Sequence, residues 1–105
     1  MATPEMHQVQ AFDETVRGVS FNVAGRVQGV AFRWFGRGVA DELGVEGWIR
    51  NRMDGGVEGE AFGDPLLLER FLDRLREGPS AARVDRLEWE AIPEQSSSGS
   101  FEIRF

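Results

Sequence analysis

The sequence predicts an α+β fold, a split βαβ sandwich with two helices on one face of a mainly antiparallel sheet. Three observations carry that expectation. Apolar residues alternate over Val19, Phe21 and Val23, then change to helical spacing from Phe32 to Leu43 and again from Leu68 to Leu75. Between the helical stretches stands Asp54 followed by Gly55, a strong hairpin signal flanked by strand-like runs. The order is therefore strand, helix, hairpin, helix, strand, plus a terminal strand, which is the ferredoxin-like plan.

Each element has its own signature. The first strand shows Val19, Phe21 and Val23 against Ser20 and Asn22, and Gly25 is expected to end it. In the first helix Phe32, Phe35, Val39, Ala40 and Leu43 share one side, and Gly44 is a left-handed cap. Gly36 and Gly38 oppose that reading, each costing about 1 kcal/mol against alanine, so close backbone packing on the sheet is expected there. "VEGWIRN" (45–51) reads as a strand, and the turn at Asp54, Gly55 and Gly56 leads into a further strand over 57–62.

The second helix is the clearest element. Asp64 caps it, Pro65 opens its first turn, Leu68, Phe71, Leu72 and Leu75 form the apolar stripe, and Gly78 with Pro79 stops it. "ARVDRLEWE" (82–90) is a strand whose alternation slips between Val84 and Leu87, which predicts a bulge or a late start. The Ser-rich stretch 93–100 is a connection, and Phe101, Ile103 and Phe105 alternate as the last strand. We expect a polar tail over 1–17 and one domain over 18–105.

Composition limits the chemistry. The chain has 105 residues, 41% of them hydrophobic, enough for one core. A net charge of −6 repels nucleic-acid backbones and anionic membranes, so neither is expected as a partner. There is no cysteine, which removes disulfides, thiolate nucleophiles and thiolate metal sites, and makes the cytoplasm the expected compartment. The sequence shows neither a secretory signal nor an apolar run long enough for a bilayer. The single histidine, His7, falls in the tail, so a Ser-His or His-metal constellation is not expected. Carboxylates such as Asp41, Glu42, Glu69, Asp73 and Glu88 read as solvated surface charge.

What remains is "GRVQGVAFR" (25–33), a loop between a strand and a helix N-terminus. There, amides lack intrahelical partners and the helix dipole favours an anion. Gly25 and Gly29 let the backbone bend into an anion nest, and Arg33 can add a guanidinium fork to a phosphoryl group. An ordinary loop with a surface arginine fits the spacing equally well. Asn51 likewise reads as a hairpin residue, or as a neutral amide that holds a water beside the anion if the two strand ends are adjacent. Spacing alone does not say whether they are.

Two stretches together are more specific. Gly-x-Val-Gln-Gly-Val-x-Phe-Arg stands at 25–33 and Gly-Trp-Ile-x-Asn-x-x-Asp-Gly at 47–55, followed by "GPSAARVDRLEW". From about residue 19 onward the chain resembles the acylphosphatase family. The resemblance implies a ferredoxin-like fold, no cofactor, no metal, and hydrolysis of acyl phosphates to a carboxylate and inorganic phosphate. It implies that Arg33 binds the phosphate, that Asn51 orients the attacking water, and that the phosphate loop comprises Arg26, Val27, Gln28, Gly29, Val30, Ala31 and Phe32. The expected partners are the small-molecule acyl phosphate and inorganic phosphate or another anion, with the chain a monomer. Trp34, Gly36, Gly38 and the first seventeen residues depart from the family pattern.

The inventory of side chains agrees with that chemistry. A carboxylate leaving group has a pKa of about 4, so it departs at neutral pH without a general acid. Two other readings stand beside it. One is a non-catalytic module that binds carbamoyl phosphate or a related acyl phosphate, as domains of this kind do within hydrogenase-maturation proteins; the other is an RNA-binding sheet using Trp48 and Trp89, against which the acidic charge argues.

Overall fold

Val19, Phe21 and Val23 point to one side of β1 (Gly18–Arg26) and are at most 1% exposed, so the first strand runs through the centre of the molecule. A computed structural model describes residues 13–95 and 99–105. His7 and part of the Ser-rich connection lie outside the described residues.

The remaining elements are α1 (Phe32–Leu43), β2 (Glu46–Asn51), β3 (Val57–Phe62), α2 (Pro65–Glu77), β4 (Arg83–Ala91) and β5 (Phe101–Arg104). The sheet order is β4-β1-β3-β2-β5. β1 pairs antiparallel with β3 and β4, β2 pairs antiparallel with β3, and β5 runs parallel to β2. The expected α+β ferredoxin-like sandwich is thus the observed fold, extended at one edge by β5.

The core lies between the sheet and both helices. Leu68, Phe71, Leu72 and Leu75 of α2 are buried, and burial of such a side chain contributes about 1.5–3 kcal/mol. The Phe71 ring meets Phe21 edge-on at 5.7 Å and Phe101 at 5.5 Å, tying the edge strand β5 to β1 through α2. Asp64 caps α2 by accepting from the Leu66 N–H at 3.0 Å.

One expectation fails at Gly25, which does not end β1. The strand continues to Arg26, and its ladder to β4 shifts between Ala24 and Gly25 because Asp85 is the extra residue opposite. Of the two readings of the slip between Val84 and Leu87, the bulge is the one observed. Gly25 has φ 135°, and a Cβ there would lie 2.1 Å from the Arg83 carbonyl oxygen, so only glycine permits the approach. The conflict at Gly36 also resolves. Gly36 is buried, and a Cβ on it would lie 3.0 Å from Cδ1 of Ile49, so its bareness lets α1 sit close to β2. Nothing lies within 4 Å at Gly38, and the structure does not explain it.

Candidate active site

The bulge at Gly25 delivers the chain from β1 into the loop before α1. Val27 and Phe32 anchor the two ends of that loop in the core, each 1% exposed. Between them Gly29 and Ala31 take left-handed conformations, with φ 75° and 63°. Ala31 is the N-cap of α1 and has no side-chain oxygen to cap with. The result is a run of bare amides: from Gln28 through Trp34, no backbone N–H donates to another described residue. Free amides at a helix N-terminus, next to left-handed residues, are a backbone arrangement that suits an anion.

The hairpin after Asn51 is adjacent to this loop. Gln28 Nε2 donates to the carbonyl of Arg52 at 2.7 Å and to that of Gly56 at 2.8 Å. On the far side of the hairpin, Arg52 donates from Nε to both Asp54 carboxylate oxygens at 3.1 Å, and from Nη1 to Asn22 at 2.7 Å and Glu58 at 2.9 Å. Asp54 also accepts from the Gly56 N–H at 3.0 Å. That backbone donor, followed by the Arg52 guanidinium, holds the Asp54 carboxyl below its ordinary pKa. The turn carrying Asn51 is therefore fastened on two sides.

Arg33 comes from the first turn of α1 and reaches β5. Its Nη1 donates to the Arg104 carbonyl at 3.0 Å, and its Cζ lies 4.6 Å from the centroid of the Phe105 ring. Arg104 pairs with Arg50, so the residues one step on, Asn51 at the end of β2 and Phe105 directly after β5, stand at the same end of the sheet. By alternation both face the helices, as Ile49 and Ile103 do. The Asn51 side-chain amide makes no hydrogen bond to another described residue and is exposed. One end of the sheet thus brings together free backbone amides, a guanidinium and a neutral amide.

A sequence model of the acylphosphatase family matches residues 19–103. The chain belongs to the acylphosphatase family. It is 41% identical over 102 residues to an acylphosphatase of Koribacter versatilis, an alignment covering 97% of this chain and 93% of that one. Among solved structures it is similar to an acylphosphatase from Coxiella burnetii, with a TM-score of 0.80 and 36% identity over 84% of this chain and 92% of the other. It is also similar to part of HypF from T. kodakarensis, with a TM-score of 0.74 and 32% identity over 85% of this chain but only 12% of that one. Membership of this hydrolase family gives the arrangement its chemical context: a carboxyl-phosphate anhydride is cleaved by acylphosphatases, and a phosphoryl group is what an amide nest with an arginine suits.

Of the residues expected in the acylphosphatase site, Gln28, Gly29, Val30, Ala31, Phe32 and Arg33 lie in or adjoin the run of free amides. Arg26 closes β1 opposite Arg83 with an exposed side chain, and Val27 puts its side chain in the core. Sequence reasoning missed Arg104 and Phe105, which hold Arg33. The Phe101, Ile103, Phe105 alternation marked their strand but could not say which edge it joined. It also missed that the Gln28 side chain, and not only its backbone, has partners. Among the described residues there is no group of three or more His, Cys, Asp or Glu arranged to hold a metal ion.

The sheet face away from the helices carries more carboxylates than the helix-facing side. Trp89 pairs with Phe21 and so faces the helices. Trp48 faces outward, but its Nε1 donates to Glu60 at 3.2 Å and the guanidinium carbons of Arg50 and Arg104 lie 5.0 and 4.8 Å from its ring. Glu58, Glu60, Glu88, Glu90 and Glu102 share that face by alternation, and they repel a phosphate backbone. No helix among the described residues is long and apolar enough to cross a membrane.

Proposed function

We propose that this chain hydrolyses acyl phosphates to a carboxylate and inorganic phosphate, working as a cytoplasmic monomer. One observation carries the reading: the unpartnered amides from Gln28 through Trp34 stand at the same end of the sheet as Arg33 and Asn51. The amides and the Arg33 guanidinium bind the phosphoryl oxygens. In a loose phosphoryl-transfer transition state charge spreads over those equatorial oxygens, so fixed donors stabilise it without rearranging.

Asn51 holds a water by accepting from it and donating to it, and a neutral amide does so without repelling the anion. The water attacks phosphorus in line with the departing carboxylate. The new P–O bond forms as the anhydride P–O bond breaks, the bonding pair leaves with the carboxylate, and a phosphoryl oxygen takes the water's proton. Neither a general acid nor a metal ion enters this scheme.

A second reading is a binding module for an acyl phosphate, of the size that the match to only 12% of the HypF chain shows can stand within a longer protein. Hydrolysis of benzoyl phosphate in excess EDTA and in 18O-labelled water separates the two. The enzyme reading expects turnover with the label in inorganic phosphate. Label in benzoate contradicts attack at phosphorus, and phosphate binding without turnover favours the module.

A further inference from the structure

Gln28 has two amide hydrogens, and both are spent on the hairpin rather than on its own loop. The acceptors, the carbonyls of Arg52 and Gly56, are the two that close the hairpin mouth. Gly56 O already accepts from the Arg52 N–H at 2.8 Å, and Arg52 O from the Gly55 N–H at 3.3 Å. A carbonyl oxygen offers two lone pairs, so the Gln28 amide completes both acceptors. The partners also fix its orientation, because turning the group over would aim Oε1 at two oxygens. Arg52 directly follows Asn51, so backbone held at Arg52 holds Asn51 as well.

We propose that Gln28 is a positioning residue for turnover: its side-chain amide sets the separation between the phosphate loop and Asn51. The proposal rests on the function given above. The backbone of Gln28 belongs to the nest, while its side chain braces the hairpin that presents the water. The two roles have separate signatures. Removing the brace leaves the nest and Arg33 in place, so phosphate binding survives while the attacking water moves off line.

The test measures kcat and KM for benzoyl phosphate and the Ki of inorganic phosphate in Gln28→Leu and Gln28→Glu, with urea midpoints to show that each folds. For Gln28→Leu we expect kcat lower by about 10- to 100-fold, the scale of a misplacement near 1 Å, and a phosphate Ki within about twofold of wild type. Gln28→Glu carries a readout that a purely structural loss does not move. Its carboxyl faces two carbonyl oxygens, which favours the neutral form and raises its pKa. As the pH falls from 7 towards 5 it gains a proton to donate, so its kcat relative to wild type rises, while that of Gln28→Leu does not. Should Gln28→Leu not fold, Gln28→Asn, which keeps the amide but shortens its reach by about 1.5 Å, carries the same expectation.

Unchanged kcat in the folded variants overturns the proposal, as does a raised phosphate Ki with unchanged kcat, which makes the side chain a ligand. A wild type without turnover overturns the function on which the proposal rests; a wild type that turns over beside an unimpaired Gln28→Leu overturns the proposal alone.

Discussion

The Arg33 guanidinium lies against the Phe105 ring, 4.6 Å from its centroid, while one of its nitrogens donates to the neighbouring Arg104 carbonyl at 3.0 Å. The end of β5 thereby fixes one edge and one face of the cation, and the rest of the fork stays available for a phosphoryl group. Phe105 as a residue is 93% exposed, so its contribution to the core is small.

Phe105→Ala therefore acts on ligand binding more than on stability. An exposed cation–π contact is worth about 0.5–1 kcal/mol, which corresponds to a phosphate Ki raised about two- to fivefold. Inhibition of benzoyl phosphate hydrolysis by phosphate checks it. An unchanged Ki shows that the ring does not hold Arg33 in place.

Arg33→Ala removes both phosphate binding and compensation of transition-state charge, and kcat/KM falls by at least about 10²-fold. Arg33→Lys restores little, because an ammonium cannot make the fork or reach Arg104 and a phosphoryl group together. A lysine variant within about threefold of wild type would show that charge alone suffices.

Ala31 at the N-cap of α1 leaves the helix without a side-chain cap, and the proposed function puts the substrate phosphate there. Ala31→Asp puts a carboxylate at the helix N-terminus, in a left-handed conformation that Asp tolerates, where the helix dipole favours it by about 0.3–1 kcal/mol. Its carboxylate also opposes a bound phosphate by at least about 1 kcal/mol. The expected outcome is a denaturation midpoint equal to or above wild type with phosphate affinity at least about fivefold weaker. Tighter phosphate binding contradicts the nest.

Asp54 contributes a pH dependence whose sign follows from its lowered pKa. A carboxyl depressed by folding stabilises the native state above its unfolded pKa, and that contribution is lost as the pH falls through the folded value. Asp54→Asn is accordingly less stable than wild type at pH 7, and the gap closes below about pH 4. Urea midpoints across that range measure it; a gap that widens on acidification contradicts the assignment.

How much the sequence revealed depended on the range of the interaction. The Asp64 cap, the Gly44 and Gly78 ends and the Asp54 turn are local, and local chemistry made them legible. The bulge was visible as a slip between Val84 and Leu87, yet the same bulge carries β1 past Gly25, because a glycine that looks like a stop in one strand is an approach point between two. The meeting of Gln28 with Arg52, and of Arg33 with Phe105, joins segments far apart in the chain, and no spacing encodes it. The family motifs supplied Arg33 and Asn51, whereas Arg104 and Phe105 became visible only when β5 was found beside β2.

The central claim is that Asn51 holds the attacking water while the amides and Arg33 bind the phosphate. The most direct measurement is kcat for benzoyl phosphate in a folded Asn51→Ala variant, with the Ki of inorganic phosphate taken beside it. The account predicts a kcat lower by about 10²-fold or more with the Ki close to wild type. Undiminished kcat in the folded variant would contradict it.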